Sequence, residues 1–141
     1  TLRTSSAASD VYKRQESTKE SASQNGYVET LFGRRLYLKE INANNALRRQ
    51  ASERAAINAP VQGTAADIMK IAMIRMYQAL EKEKSEARII LQVHDELILD
   101  TPEKEIDRVI ELTTEAMKEA TLLDVPLEID IGIGDNWDQA H

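Results

Sequence analysis

Several residue types are scarce or absent, and each absence excludes a class of protein. The 141 residues include no cysteine, three prolines, five glycines and only 4% aromatic residues. Without cysteine, disulfide bonds and thiolate metal sites are excluded, as expected of a soluble protein in the reducing cytoplasm. No apolar run approaches the roughly 20 residues of a membrane-spanning helix and no signal-peptide pattern is present, so we expect no membrane partner. The length predicts one modest core.

A surplus of basic residues is also missing, because the formal net charge is -6. That average argues against a nucleic-acid partner, whose binding surfaces are usually basic. The charge is uneven, however. Six basic residues face three acidic ones between positions 26 and 54, whereas fourteen acidic residues face three basic ones from position 95 onward. A surface that contacts a phosphate backbone is therefore predicted in the first half, and the acidic end suits a solvated flank and a metal site.

Residues 1–25 differ in composition from the rest of the chain. They are rich in Ser, Thr, Lys and Gln and follow neither a helical nor a strand period. This pattern predicts a disordered tail. Residues 5–15 also resemble translated sequencing-adapter sequence, which predicts an artefactual origin, with an ordinary flexible linker as the alternative.

Organised structure is predicted from Gly26 onward. Residues 27–30 and 35–38 have strand-forming composition and flank Gly33, so they predict a short hairpin. Asn44 or Asn45 is placed to cap the helix that follows.

Pro60 is predicted to stop that helix and to begin a second one that runs to about Lys84. The second helix carries apolar residues on more than one face, which indicates that it is largely buried. Its three methionines, and Met117 later in the chain, are expected to pack in the core.

The most informative motif is His94-Asp95-Glu96, between the apolar runs 88–93 and 97–99. The runs are too short for helices and predict strands, with His94 and Asp95 at the bend. Such a hairpin tip holds carboxylates in the open. Mg²⁺ suits that arrangement because it keeps most of its waters and takes only one or two carboxylates from the protein. The alternative is that all three are turn residues chosen for solubility.

The last third of the chain predicts one helix and one strand. Thr101 and Pro102 are placed as the N-cap and first position of an amphipathic helix that runs to about Ala120. After Pro126, residues 127–133 alternate between apolar and polar or glycine, which predicts a half-buried strand. A sheet formed by the hairpin and this strand, with helices packed on one face, gives an α+β layer.

A row of polar residues occurs around Pro60. Arg54, Asn58 and Gln62 are spaced four apart, so they lie on one face if the helical twist persists. Arginine suits phosphate oxygens, and the two amides suit the acceptors of a DNA minor groove. Gly63 would remove bulk where a duplex approaches the backbone. Alternatively, Asn58 caps the second helix and the other two are ordinary surface residues.

Three segments together resemble a known family. Residues 58–68 read Asn-Ala-Pro-Val-Gln-Gly-Thr-Ala-Ala-Asp-Ile, the His94 hairpin follows about thirty residues later, and residues 135–141 read Asp-Asn-Trp-Asp-Gln-Ala-His. In this order they resemble the C-terminal part of family A DNA polymerases, from about Gly26 to His141. The resemblance implies the end of the fingers and the C-terminal half of the palm. The expected fold is α+β, a partial polymerase palm with an antiparallel sheet, a small N-terminal hairpin and a disordered tail.

The resemblance also implies an activity, which is template-dependent nucleotidyl transfer to a primer 3′ hydroxyl. The transfer would be assisted by Mg²⁺, and the enzyme is expected to be a monomer. Asp95 would bind the metal, Glu96 would support it or position the primer end, and His94 would contact the primer terminus. The implied partners are primer-template DNA and deoxynucleoside triphosphates. Three residues would contact template and primer: Arg54, Asn58 and Gln62. The family's upstream palm aspartate and nucleotide-binding fingers helix have no counterpart in residues 1–25, so the isolated chain is expected to be inactive.

Two other classes of function remain open. A His-Asp dipeptide also occurs in metal-dependent phosphohydrolases, but these need several histidine ligands and the chain has two histidines. The acidic amphipathic helices could instead belong to a non-catalytic interaction or DNA-binding module derived from the palm. Salt-dependent DNA binding would separate an interaction module from a nucleic-acid binder, because phosphate contacts release counterions.

Overall fold

The computed structural model describes the backbone of residues 2–120 and 128–140, and the side chains of these residues from Val11 onward. Helices and two small antiparallel sheets give the α+β class that the sequence predicts. In chain order the elements are helix α1 (Leu2–Asn25), strands β1 (Tyr27–Glu29) and β2 (Arg35–Tyr37), helix α2 (Ala46–Lys82), strands β3 (Arg88–Val93) and β4 (Glu96–Asp100), a 3₁₀ turn (Glu103–Glu105), helix α3 (Ile106–Ala120) and helix α4 (Trp137–Ala140).

The chain divides into two compact units, and α2 passes from one into the other. The first unit ends at Thr64 and the second begins at Ala65. Each unit has its own cluster of buried apolar residues. No described helix combines the length and the apolar character that crossing a membrane requires.

The prediction of a disordered tail is wrong for Leu2–Asn25, which form α1. The helix is fixed at its C-terminal end, where Ala22 is fully buried and packs in the first unit's core. Gly26 follows with a φ of +77° and donates from its backbone N–H to the Ala22 carbonyl at 2.8 Å, so it ends the helix. Composition did not reveal this helix because tertiary contacts stabilise it. The adapter-like origin of residues 5–15 stays a prediction.

The first predicted hairpin is confirmed as β1 and β2. Tyr27 pairs with Tyr37 and Glu29 pairs with Arg35 in an antiparallel register. Gly33 lies in the connecting loop with a φ of +84°, a conformation that glycine adopts without steric cost. The loop therefore turns at the position that the sequence indicated.

Helix α2 is capped as predicted but is not interrupted as predicted. The Asn45 side-chain oxygen accepts hydrogen bonds from the backbone N–H groups of Leu47 (3.0 Å) and Arg48 (3.2 Å). Pro60 lies inside one continuous helix that ends at Lys82. Proline removes one helical hydrogen bond, but the helical turns on both sides persist. Asn58 is consequently a mid-helix residue and not the cap of a second helix.

The second unit packs α2 and α3 against the β3–β4 hairpin. Its buried cluster comprises Met76, Leu80, Ala87, Val109, Leu112 and Ala116, with Ile89 and Leu99 of the hairpin packed against it. Met69 is also buried, so the predicted role of the methionines in core packing is confirmed for Met69 and Met76. The core therefore supports the strands that carry the His94-Asp95-Glu96 motif.

The start of α3 differs from the prediction at Thr101. Pro102, not Thr101, is the cap residue, and it precedes a 3₁₀ turn that has no side-chain capping bond. Glu105 organises this region instead. Its carboxylate accepts hydrogen bonds from the Ser85 hydroxyl and from the Glu86 backbone N–H. The Ser85 bond is the main reason why the pKa of Glu105 is lowered.

The predicted strand over residues 127–133 is not formed at the positions the structure describes. Residues 128–134 have no strand conformation, so each described sheet has two strands rather than three. A strand needs a hydrogen-bonded neighbour, and none is present in the described part of the chain. The segment lies against α4 instead, where a Cβ on Gly132 would overlap the Ala140 carbonyl. Pro126, Leu127 and His141 lie outside the described residues.

Candidate functional site

The His94-Asp95-Glu96 motif forms the tip of the β3–β4 hairpin, as predicted. Val93 pairs with Glu96, so His94 and Asp95 make a two-residue turn. His94 has a φ of +51°, in the left-handed region that two-residue hairpin turns require. The Gln92 side-chain amide donates to the His94 carbonyl at 2.8 Å and holds the backbone of the turn. The tip is thus fixed by its own strand residues.

The side chains of the tip are open to solvent. His94 and Asp95 are exposed, and Glu96 is half-buried. Within the described part of the chain, Asp95 forms no hydrogen bond or ion pair. A carboxylate that is held on a fixed turn and has no protein partner can bind a cation or a polar ligand without first breaking an internal contact.

The tip suits Mg²⁺ in donor type but supplies only part of a coordination shell. Asp95 and Glu96 offer hard carboxylate oxygens, which Mg²⁺ prefers, and the ion commonly takes its other ligands from water and substrate phosphates. Among residues 2–120 and 128–140, no three or more His, Asp or Glu side chains are grouped so as to hold a metal. Any metal bound here therefore depends on ligands from outside the described residues.

The polar row Arg54, Asn58 and Gln62 lies on one face of α2. The continuous helix keeps the four-residue spacing in phase, as the sequence predicted. All three side chains are exposed, and none has a hydrogen-bonding partner in the part of the chain that the structure describes. The row is about 12 Å long at 1.5 Å per residue. At 3.4 Å per step, it matches about three base pairs of DNA.

An open cleft lies beside Gln62, between the β1–β2 hairpin and α2. Its volume is about 280 Å³, and its walls include Arg34, Arg35, Pro60 and Gly63. The Glu29 carboxylate binds the Arg35 guanidinium at 2.6 Å and is the main cause of the raised pKa of Arg35. The cleft shows that the hairpin packs beside the polar row.

Sequence reasoning missed the contact between this hairpin and α2. Arg34 donates from its guanidinium to the Gly63 carbonyl at 3.2 Å, and the Leu31 backbone N–H donates to the Thr64 hydroxyl oxygen at 3.0 Å. The prediction that Gly63 makes room for DNA is wrong in this respect, because the Thr30 methyl group occupies that space. The only signal in the sequence was a glycine in a helical run.

The predicted site residues therefore form two groups. Arg54, Asn58 and Gln62 lie together in the first unit, and His94, Asp95 and Glu96 lie together in the second. Each group has the local geometry that the sequence predicted. One is a helical row of polar side chains, and the other is a hairpin tip with two carboxylates.

Known proteins are similar to this chain in sequence and in fold. The family model for DNA polymerase family A matches residues 6–139. DNA polymerase I of Pseudomonas aeruginosa is 53% identical over 126 residues, which are 89% of this chain and 14% of that protein. The thermostable DNA polymerase I of Thermus thermophilus is 49% identical over 122 residues, which are 86% of this chain and 14% of that protein.

One solved structure is also similar to this chain in both fold and sequence. The POL domain of Pol1 from M. smegmatis, in complex with DNA primer-template and dNTP, has a TM-score of 0.89 and 45% identity. The similarity covers 92% of this chain and 23% of that one. The chain thus spans a small part of its relatives. The region that the family model matches begins at residue 6, upstream of Gly26 and within the segment whose composition predicts a tail. From the matched sequence and the shared fold, the chain belongs to DNA polymerase family A.

Proposed function

We propose that this chain is the C-terminal fingers and palm part of a DNA-directed DNA polymerase that extends a primer 3′ hydroxyl under the direction of a template. The observation that carries the proposal is the hairpin tip with exposed Asp95 and half-buried Glu96 in a chain of this family. The related M. smegmatis domain binds DNA primer-template and dNTP, which supports the same partners here.

At the tip, Asp95 and Glu96 would hold Mg²⁺. Bound Mg²⁺ would supply charge stabilisation to the attacking and leaving oxygens of the phosphoryl transfer. Asp95 is the primary ligand because it is exposed and has no partner among the described residues. Half-buried Glu96 supports the metal or positions the primer end, and His94 contacts the primer terminus.

On α2, Arg54, Asn58 and Gln62 would bind primer-template DNA. The guanidinium group of Arg54 suits a backbone phosphate. The Asn58 and Gln62 amides can donate to the purine N3 and pyrimidine O2 acceptors, which all correct base pairs present in the minor groove. These contacts hold the duplex without reading its sequence, as a template-directed enzyme requires.

The activity belongs to the whole polymerase, in which we infer roles in replication and repair as a cytoplasmic monomer. The chain alone offers one carboxylate pair, and two-metal transfer needs further ligands. Without them, the chain would act at most as a non-catalytic DNA-binding module. The observation that favours this second candidate is that no group of three metal-binding side chains occurs among the described residues.

The experiment places residues 26–141 into DNA polymerase I of Pseudomonas aeruginosa in place of its matching segment and measures single-nucleotide primer extension. Asp95→Asn should abolish incorporation and leave primer-template affinity nearly unchanged, because the carboxylate binds metal and α2 binds DNA. Asp100→Asn is the matched control, since Asp100 is an exposed aspartate on the same hairpin. Equal losses of rate and affinity in the Asp95 variant would refute the assignment of roles.

A further inference from the structure

Helix α2 contains a weak turn at the C-terminal end of the polar row. Pro60 and Gly63 are the two residue types least suited to a helix interior, and both lie within α2. Gln62 is between them, whereas Arg54 and Asn58 precede them. Gln62 therefore stays in line with the other two only if the turn from Pro60 to Thr64 keeps its helical geometry.

The loop of the β1–β2 hairpin is hydrogen-bonded to this turn. The Thr64 hydroxyl donates to the Pro60 carbonyl at 2.6 Å and accepts from the Leu31 backbone N–H at 3.0 Å. Arg34 donates to the Gly63 carbonyl at 3.2 Å. A single threonine hydroxyl thus links the loop to the first and last residues of the weak turn.

The close fit depends on the absence of a side chain at position 63. A Cβ added to Gly63 would lie 2.6 Å from the Thr30 Cγ2 methyl, closer than real Cβ contacts allow. Thr30 has little freedom to move within its loop, because Gly33 donates to the Thr30 carbonyl at 3.0 Å. The Arg34 backbone N–H also donates to the Thr30 hydroxyl at 3.2 Å. These bonds fix Thr30 within its loop, and the Leu31 and Arg34 hydrogen bonds hold that loop against α2.

We propose that residues 30–34 act as a clamp on the α2 turn at residues 60–64, and that this clamp positions Gln62 against the base pair at the primer end. Thr30, Gly63 and Thr64 are then positioning residues that set how strongly the enzyme discriminates between paired and mispaired primer ends. This inference rests on the proposed function, since it assumes that Gln62 contacts the DNA minor groove.

The test uses the same Pseudomonas chimera and measures extension from paired and mispaired primer ends. Gly63→Ala should reduce discrimination about tenfold, close to the effect of Gln62→Ala, because a small displacement of a contacting group has large kinetic effects. Adding Thr30→Ser, which removes the obstructing methyl and keeps the hydroxyl, should restore discrimination. If position 63 mattered only for helix formation, alanine would favour the helix and discrimination would not change.

A second pair of variants keeps the proposal testable if Gly63→Ala does not fold. Thr64→Val should reduce discrimination, and Thr64→Ser should retain it, because only serine keeps the bridging hydroxyl. Thr114→Val is the matched control. The Thr114 hydroxyl also donates to the carbonyl four residues back, at 2.8 Å, but no hairpin loop is attached to it in the described structure.

The outcomes separate the clamp from the proposed function. If Gln62→Ala alters discrimination but the Gly63 and Thr64 variants do not, the clamp is refuted and the DNA contact stands. If Gln62→Ala itself leaves discrimination unchanged, the minor-groove role fails and the clamp fails with it. Rescue of Gly63→Ala by Thr30→Ser, with Thr114→Val unchanged, supports the clamp.

Discussion

Truncation of Met76 to alanine tests whether the core of the second unit supports the β3–β4 hairpin. Met76 is the largest fully buried side chain in the described structure, with 1% exposure, and it belongs to the cluster that packs against β3 and β4. Removing its thioether leaves a cavity below the strands that carry the tip. Since the tip geometry depends on the register of these strands, the loss of packing should also reduce primer extension by the Pseudomonas chimera.

The size of the effect follows from what surrounds Met76. Methionine-to-alanine changes in cores cost about 2–5 kcal/mol, depending on how well the site collapses. Two neighbours, Ala87 and Ala116, are too small to fill the space. The Thr113 hydroxyl, 3.6 Å from the Met76 sulfur, also donates to the Val109 carbonyl and stays satisfied. The cost is therefore the lost burial of the side chain plus the cavity, about 4 kcal/mol in total, a large share of the stability of a small domain.

Urea unfolding of the 141-residue chain, followed by circular dichroism, measures this loss. At a slope of about 2 kcal/mol per molar urea, 4 kcal/mol lowers the midpoint by about 2 M. Met76→Leu is the matched control, because it nearly conserves volume and should cost less than about 1.5 kcal/mol. Equal midpoints for the alanine and leucine variants, or an alanine cost below about 1 kcal/mol, would show that Met76 does not organise this core.

Two further predictions concern pH and the isolated chain. The pKa of Glu105 is lowered below its ordinary value of 4.5, chiefly by the hydrogen bond from the Ser85 hydroxyl. The ionised carboxylate therefore stabilises the fold at pH values above 4.5. This stabilisation is lost as the pH falls through the pKa of the folded protein. Between pH 7 and pH 3 the wild type should therefore lose more thermal stability than Glu105→Gln, and equal losses would contradict the linkage. The purified 141-residue chain should show no primer extension above a buffer control when Mg²⁺, primer-template and all four nucleotides are supplied. Template-dependent extension would mean that other residues carry the chemistry.

The elements that the sequence predicted well are those defined by neighbouring residues. The β3–β4 turn, the Asn45 cap and the hairpin around Gly33 each depend on residue types within a few positions. Their local preferences agree with the final fold, so a single sequence is enough to find them. The same holds for the two groups of site residues, since a helical spacing of four and a two-residue turn are both local properties.

The elements that were missed depend on distant contacts. Helix α1 has no apolar stripe that would indicate a helix, but the burial of Ala22 against the first unit's core fixes its end. Residues 128–134 show the opposite case, because their alternating pattern suits a strand and yet no partner strand is present in the described structure. A periodic pattern indicates what a segment can form, whereas the neighbour decides what it does form.

Pro60 shows why the contacts around this turn of α2 were harder to predict than the polar row itself. An arginine and two amides at a spacing of four indicate a ligand by their chemistry alone. Thr30 and Thr64 lie where the hairpin loop meets this turn of α2. They have no chemistry that indicates a role, and the hydrogen bond between Leu31 and Thr64 links positions 33 residues apart. Proline in a helical run correctly signals a local cost. The loop of the β1–β2 hairpin is hydrogen-bonded to α2 beside this proline. The position where the sequence predicts a break is therefore a helical turn that a distant hairpin contacts.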